Sequence, residues 1–169
     1  MAPQSASRFS HKQWILVAIA ILLLVAAWWM FRPEKPSVKK NANEPAPAVS
    51  TVEPQPIYAG PLEGRAHPTS GRATIYRTSD GVEFLRFTNF STSNGPDVRV
   101  VLARGDDPVL AHPIVKGRLD SVDLGPLKGD QGDQNYDLAT PVDLQRYDTV
   151  VIYCGPLHSI FGLARLKPF

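Results

Sequence analysis

The sequence predicts an all-β domain, an antiparallel sandwich or barrel, preceded by one N-terminal transmembrane helix and a proline-rich linker. Three observations carry this reading. Residues 14–31 form one apolar block without a charge. Residues 32–57 hold six prolines and almost nothing large and apolar. From Tyr58 onward, β-branched and aromatic runs alternate with Gly, Asn and Asp turns, and no window holds a helical period.

The apolar block reads WILVAIAILLLVAAWWMF. As a helix it spans about 27 Å, close to the hydrocarbon thickness of a bilayer. Trp14 at one end and Trp28 and Trp29 at the other resemble interfacial belts. A core helix would carry a polar stripe, and this block has none. Val25-Ala26-Ala27 resembles a cleavage site, but the bulky residues after it favour a retained signal anchor. The chain therefore divides into a short tail (1–13), a span in contact with lipid (14–31), a flexible linker (32–57) and one domain (58–169). The linker cannot bury enough surface to fold, and its prolines extend it to roughly 80 Å at most. Lys and Arg are denser after the span (Arg32, Lys35, Lys39, Lys40) than before it (Arg8, Lys12), which taken alone places the domain in the cytoplasm.

Within the domain, ATIYR (73–77) and VEFLRFT (82–88) flank a Ser-Asp-Gly turn and read as a hairpin. Asn94-Gly95-Pro96-Asp97 is a second turn, followed by VRVVLA (98–103), a run continuous enough to be covered on both faces. TVVIYC (149–154) is another such run, and 160–166 forms the last strand. Residues 117–143 are polar and hold one or two short strands in an ordered loop.

Charge and motifs exclude several functions. The net charge of +2 is a sum of +3 over residues 1–57 and −1 over residues 58–169. The domain has no basic excess, so nucleic acid is not a partner. No phosphate-binding loop, zincin motif, nucleophile elbow or haem-attachment motif is present. No paired carboxylates or nucleophile–base set supports a hydrolase or isomerase. Asp130, Asp133 and Asp137 are close in sequence but lack the calcium-loop register with its distal Glu, so they read as a polar loop held by side-chain bonds to backbone.

Cys154 is the single cysteine, which excludes an internal disulfide. Strand alternation places Val150, Ile152 and Cys154 on one face, with Val151 and Tyr153 on the other. Its plain reading is a small buried hydrophobe. His158 offers an alternative, because Cys154-Gly-Pro-Leu-His158 can bring a thiolate and an imidazole together across a turn. Blue-copper sites use such a loop with a second, upstream His, here His67 or His112, and a weak axial Met. Both methionines, Met1 and Met30, lie outside the domain, so that signal is partial.

The ordered set HPTSGRATIY (67–76), LRFTNF (85–90), TSNGPDVRV (92–100), LGPLKG (124–129), GDQNY (132–136), YDTVVIYC (147–154) and FGLARL (161–166) resembles the DM-thirteen electron-transfer domain. That module occurs in Skeletor-like proteins, often beside DOMON cytochrome domains. The resemblance implies an extracytoplasmic β domain, against the lysine count; with the span at 14–31 this places the chain as a single-pass protein of the plasma (cytoplasmic) membrane. It implies a redox role for the cysteine at position 154, with a haem partner domain; joined to the turn spacing, this makes Cys154 a redox thiol or a haem or copper ligand, with His158 and His67, which lies in the matched region, as companion ligands. No DOMON or cytochrome motif accompanies the domain, so the electron partner would be another protein. The alternative is a binding or adhesion module in which Cys154 is core and residues 91–97 and 125–137 are recognition loops.

Overall fold

The computed structural model describes residues 11–30, 41–47, 52–138 and 141–169, which fall into two units, residues 1–36 and 37–169. In the first unit, α1 spans His11–Met30. Its side chains are described from Trp14 to Val25, and all of these are apolar and exposed. Those positions cover about 18 Å of helix axis. Among the described residues no helix is long and apolar enough to cross a membrane. The expected span over 14–31 is thus not carried by the structure. Residues 1–10 and 31–40, with the basic flanks Arg8, Arg32, Lys35, Lys39 and Lys40, lie outside the described residues.

The second unit is the expected antiparallel β architecture, in the form of two five-stranded sheets. The strands are β1 (Gln55–Pro61), β2 (Glu63–Gly64), β3 (Ser70–Arg77), β4 (Glu83–Ser91), β5 (Val98–Ala103), β6 (Ser121–Pro126), β7 (Gln134–Asp137), β8 (Thr149–Cys154), β9 (Ser159–Arg165) and β10 (Lys167–Pro168). One sheet has the order β10-β1-β3-β4-β7 and the other β2-β9-β8-β5-β6. The hairpin of β3 and β4 pairs Ile75 with Leu85 and Arg77 with Glu83, as the turn residues predicted. β6 and β7 are the short strands expected within 117–143.

The core lies between the sheets. Ala73, Ile75, Leu85 and Phe87 from the first sheet meet Val100, Leu102, Val150, Ile152 and Phe161 from the second. The second sheet is covered on its outer face too. There Val101, Ala103, Val151, Ile160 and Leu163 pack under Leu110 and Val115. Leu110 belongs to a 3₁₀ turn, Pro108–Ala111, whose N-cap Asp107 accepts a hydrogen bond from the Val109 N–H. This double covering explains why β5 and β8, apart from Arg99 and Thr149, are apolar on both faces instead of alternating.

The proline-rich stretch departs from a plain spacer. β1 starts at Gln55, within the residues expected to be linker. Residues 41–47 lie along β7, an edge strand. The Ala42 and Glu44 N–H groups donate to the Gln131 and Asp133 carbonyls, each at 2.9 Å. The Glu44 carboxylate accepts from the Asn135 N–H at 2.8 Å and from Lys128 Nζ at 3.0 Å. Arg86 donates to the Glu44 carbonyl and to Asn135 Oδ1, and forms an ion pair with Asp133 at 2.8 Å. Hydrogen bonds to the main chain substitute here for the apolar surface that this segment lacks.

Candidate functional site around Cys154

β8 delivers Cys154 to the inner face of its sheet. The side chain is fully buried and belongs to the core cluster with Val150 and Ile152, while Tyr153 packs with the outer cluster. The face assignment read from alternation therefore holds. The Cys154 thiol donates to the Pro96 carbonyl at 2.9 Å. Pro96 sits in the Asn94-Gly-Pro-Asp turn, where Asp97 takes a positive φ of 46°. Strand pairing sets this meeting, because Cys154 lies opposite Val98, the first residue after the turn.

Phe161 fills the other side of the turn. The register of β8 on β9 shifts between Ile152 and Tyr153, whose partners are Gly162 and Ile160. Phe161 is the extra residue of that bulge, and its ring is fully buried in the inner core. A Cβ on Gly95 would lie 2.7 Å from Phe161 Cζ, so the turn needs glycine there to lie on the ring. The Phe161 carbonyl accepts from the Arg65 N–H at 2.8 Å and from Thr69 Oγ1 at 3.2 Å. These bonds fold residues 65–69 over the bulge. They bring the His67 ring to the Phe161 ring, with centroids 4.0 Å apart and planes at 42°. His67 is half-buried.

The structure thus places Cys154 and His67 around one buried feature, the Gly95–Phe161 contact, without a hydrogen bond between them. His158 is elsewhere. It is exposed, takes a φ of 47°, and its Nδ1 stands 3.5 Å from the Tyr153 hydroxyl on the outer face. Burial, and secondly the neighbouring Cys154, push the Tyr153 hydroxyl pKa above its ordinary value. The expected meeting of Cys154 and His158 does not occur, because one strand step separates Tyr153 from Cys154 and turns them to opposite faces. His112 lines an apolar cleft of about 470 Å³ with Pro108, Val109 and Pro113, again on the outer side.

These residues do not fit a resident haem or copper centre in this arrangement. Cys154 Sγ is enclosed by core and bonded to Pro96, which leaves no open position at the sulfur. Among the described residues no three His, Cys, Asp or Glu side chains converge. The calcium-like trio disperses as well. Asp133 binds Arg86 and the Asn89 N–H, whereas Asp130 is buried at 3 % exposure.

Three features lacked a sequence signal. The Pro96 acceptor is 58 residues from Cys154. The Phe161 bulge has no local marker. The ring contact with His67 depends on both. No curated protein sequence and no solved structure matches the chain. The family described as electron transfer DM13 matches residues 61–166, more than half of the chain and nearly all of the β domain, including Cys154, His67 and the Pro96 turn. The chain belongs to the electron transfer DM13 family.

Proposed function

We propose that the protein is a membrane-tethered, extracytoplasmic redox module that exchanges electrons through Cys154 with a partner redox protein. The observation that supports this most is the arrangement at the thiol. The only cysteine is held against a main-chain carbonyl in a turn that rests on Phe161, and that ring continues to the half-buried imidazole of His67. Buried sulfur, packed aromatic ring and surface-reaching imidazole form a covalent and van der Waals route from core to surface. The family's redox character favours this use of the route. Tethering is supported by α1, whose apolar side chains from Trp14 to Val25 are all exposed, a surface that lipid accommodates and water does not. The extracytoplasmic side is our reading of the family resemblance; there the lone thiol has no cysteine partner within the chain and meets an oxidising environment when its turn opens.

A second reading has its own observation. A fully buried thiol bonded to a carbonyl also describes a structural cysteine in a binding module. The test uses the full chain in detergent, mixed with haem or Cu(II), with absorption spectra of wild type and Cys154→Ser. A visible or Soret band that disappears in Cys154→Ser supports ligation at sulfur. Mediator titration then follows Cys154 itself by mass spectrometry. Reversible oxidation at a defined potential supports the redox reading. A thiol that gives no band and stays reduced across the titration leaves the binding module as the function.

A further inference from the structure

Beside the Cys154 turn, a cleft of about 240 Å³ opens between residues 93–98 and 126–130. Asp130 lines it. Its main chain is held in place, since the Asp130 carbonyl accepts from the Thr92 N–H at 2.9 Å and Gln131 bridges to Ser91. Its side chain is buried at 3 % exposure, and Oδ1 is a buried oxygen with no hydrogen-bond partner. A buried acceptor left unpaired costs about 1–3 kcal/mol, more when charged, so native structures supply it with a donor, a water or an ion.

The two neighbouring cations, Lys128 on the cleft wall and Arg99, have their shortest ion pairs outside the cleft. Lys128 Nζ is 3.0 Å from Glu44 and lies over the Tyr136 ring. Arg99 holds Asp123 at 2.7 Å and reaches Asp97 only at 3.5 Å. Asp97 lines the same cleft, so two carboxylates border it, and Arg99 offsets part of their charge through its 3.5 Å contact with Asp97. Ser93 and Asn94 add neutral oxygens to the lining. A water occupies about 30 Å³, so the cleft accommodates an ion together with several coordinating waters. Two carboxylates, neutral oxygens and water form the donor set of a hard divalent cation. A soft metal would need sulfur or imidazole there, and neither lines the cleft.

We propose that this cleft binds one hard divalent cation of the calcium class, anchored by Asp130 with Asp97 as the second carboxylate. The site is distinct from the Asp133 and Asp137 carboxylates that follow Asp130 in sequence. Cation binding does not depend on the redox reading. It has a consequence for the thiol all the same, because the ion would pin the turn whose Pro96 carbonyl accepts the Cys154 proton.

The test uses the full chain in detergent, stripped with a chelator and titrated with CaCl₂ by isothermal calorimetry, with thermal unfolding run alongside. One saturable site per chain and a rise in Tm are expected. Asp130→Asn and Asp97→Asn should each weaken binding by about tenfold or more, the equivalent of at least 1.4 kcal/mol. Saturating calcium should also slow the reaction of Cys154 with a thiol reagent. Asp97 has a side-chain exposure of 57 %, so Asp97→Asn will fold and decides the matter should Asp130→Asn not fold. The absence of saturable binding of either Ca²⁺ or Mg²⁺, or equal affinity in Asp97→Asn and wild type, overturns the proposal.

Discussion

On the inner face of β8 the Cys154 thiol is fully buried and donates to Pro96, a residue 58 positions away. On the outer face, one residue earlier, the Tyr153 hydroxyl stands 3.5 Å from the exposed ring of His158. Cys154 and His158 are four residues apart in sequence and on opposite sides of the sheet. The comparison shows that nearness along the chain does not pair two side chains at a strand end. The parity of the strand and the turn geometry do, and here both separate them. The inner contact joins distant segments and is buried. The Tyr153–His158 contact is local, and its imidazole is exposed.

The strongest way to break the inner region is Phe161→Ala. Removing a fully buried ring costs about 3–5 kcal/mol, measured by denaturant unfolding. It also takes the support from Gly95 and His67, so Cys154 labelling should accelerate by more than the loss of global stability accounts for. Labelling that only tracks global unfolding would show that the ring does not guard the thiol.

Arg86→Ala sharpens the contrast from a distance. Its side chain is 12 % exposed and ties Asp133, Asn135 and the Glu44 carbonyl at the β7 edge. Loss of this partly buried set should cost about 2 kcal/mol, between surface and buried ion-pair values. Neither face of β8 is touched, so Cys154 protection should fall only in step with stability.

Acid tests the same edge more gently. Burial alone would raise the Glu44 pKa, but the Asn135 N–H, the Lys128 ammonium and the Arg86 charge outweigh it and hold the value below 4.5. A carboxyl lowered by folding stabilises the folded state above its unfolded pKa. That contribution disappears as pH falls through the lower, folded value. Proteolysis within residues 41–47 should therefore increase below about pH 4.5. In Glu44→Gln the increase should be absent, with cleavage already raised at neutral pH.

The smallest effect belongs to the outer face. His158 takes a φ of 47°, so His158→Gly should raise stability, by up to about 1 kcal/mol. Cys154 labelling should not change. A change in labelling would reconnect the two faces and undo the comparison.

Much of this fold was legible in the sequence. β3, β4, β5, β8 and β9 follow runs of Val, Ile, Phe and Tyr between turn residues, and the nearly continuous apolar run of β5, broken only by Arg99, implied cover on both faces. The inward direction of Cys154 followed from alternation. Other parts had no such signal. β1 contains Pro56 and Pro61, which lower strand propensity, yet it pairs with β3 through the residues between them. Residues 41–47 are held by polar bonds, which leave no hydrophobic period to read. The site was legible in its residue types but not in its grouping. Cys154 and His67 share a neighbourhood through Phe161, a residue marked only by a bulge.

The docking of residues 41–47 has a consequence for how the protein coexists with its own copies. Among the described strands β7 pairs with β4 alone, and a bare edge invites another chain to add itself. The Glu44 carboxylate occupies the Asn135 N–H, and Asn41 runs parallel to Gln131 as a single bridge. The segment thus acts as a built-in competitor for the position an intruding strand would take. The stretch that reads in sequence as mere spacing therefore doubles as a guard against fibre-like stacking.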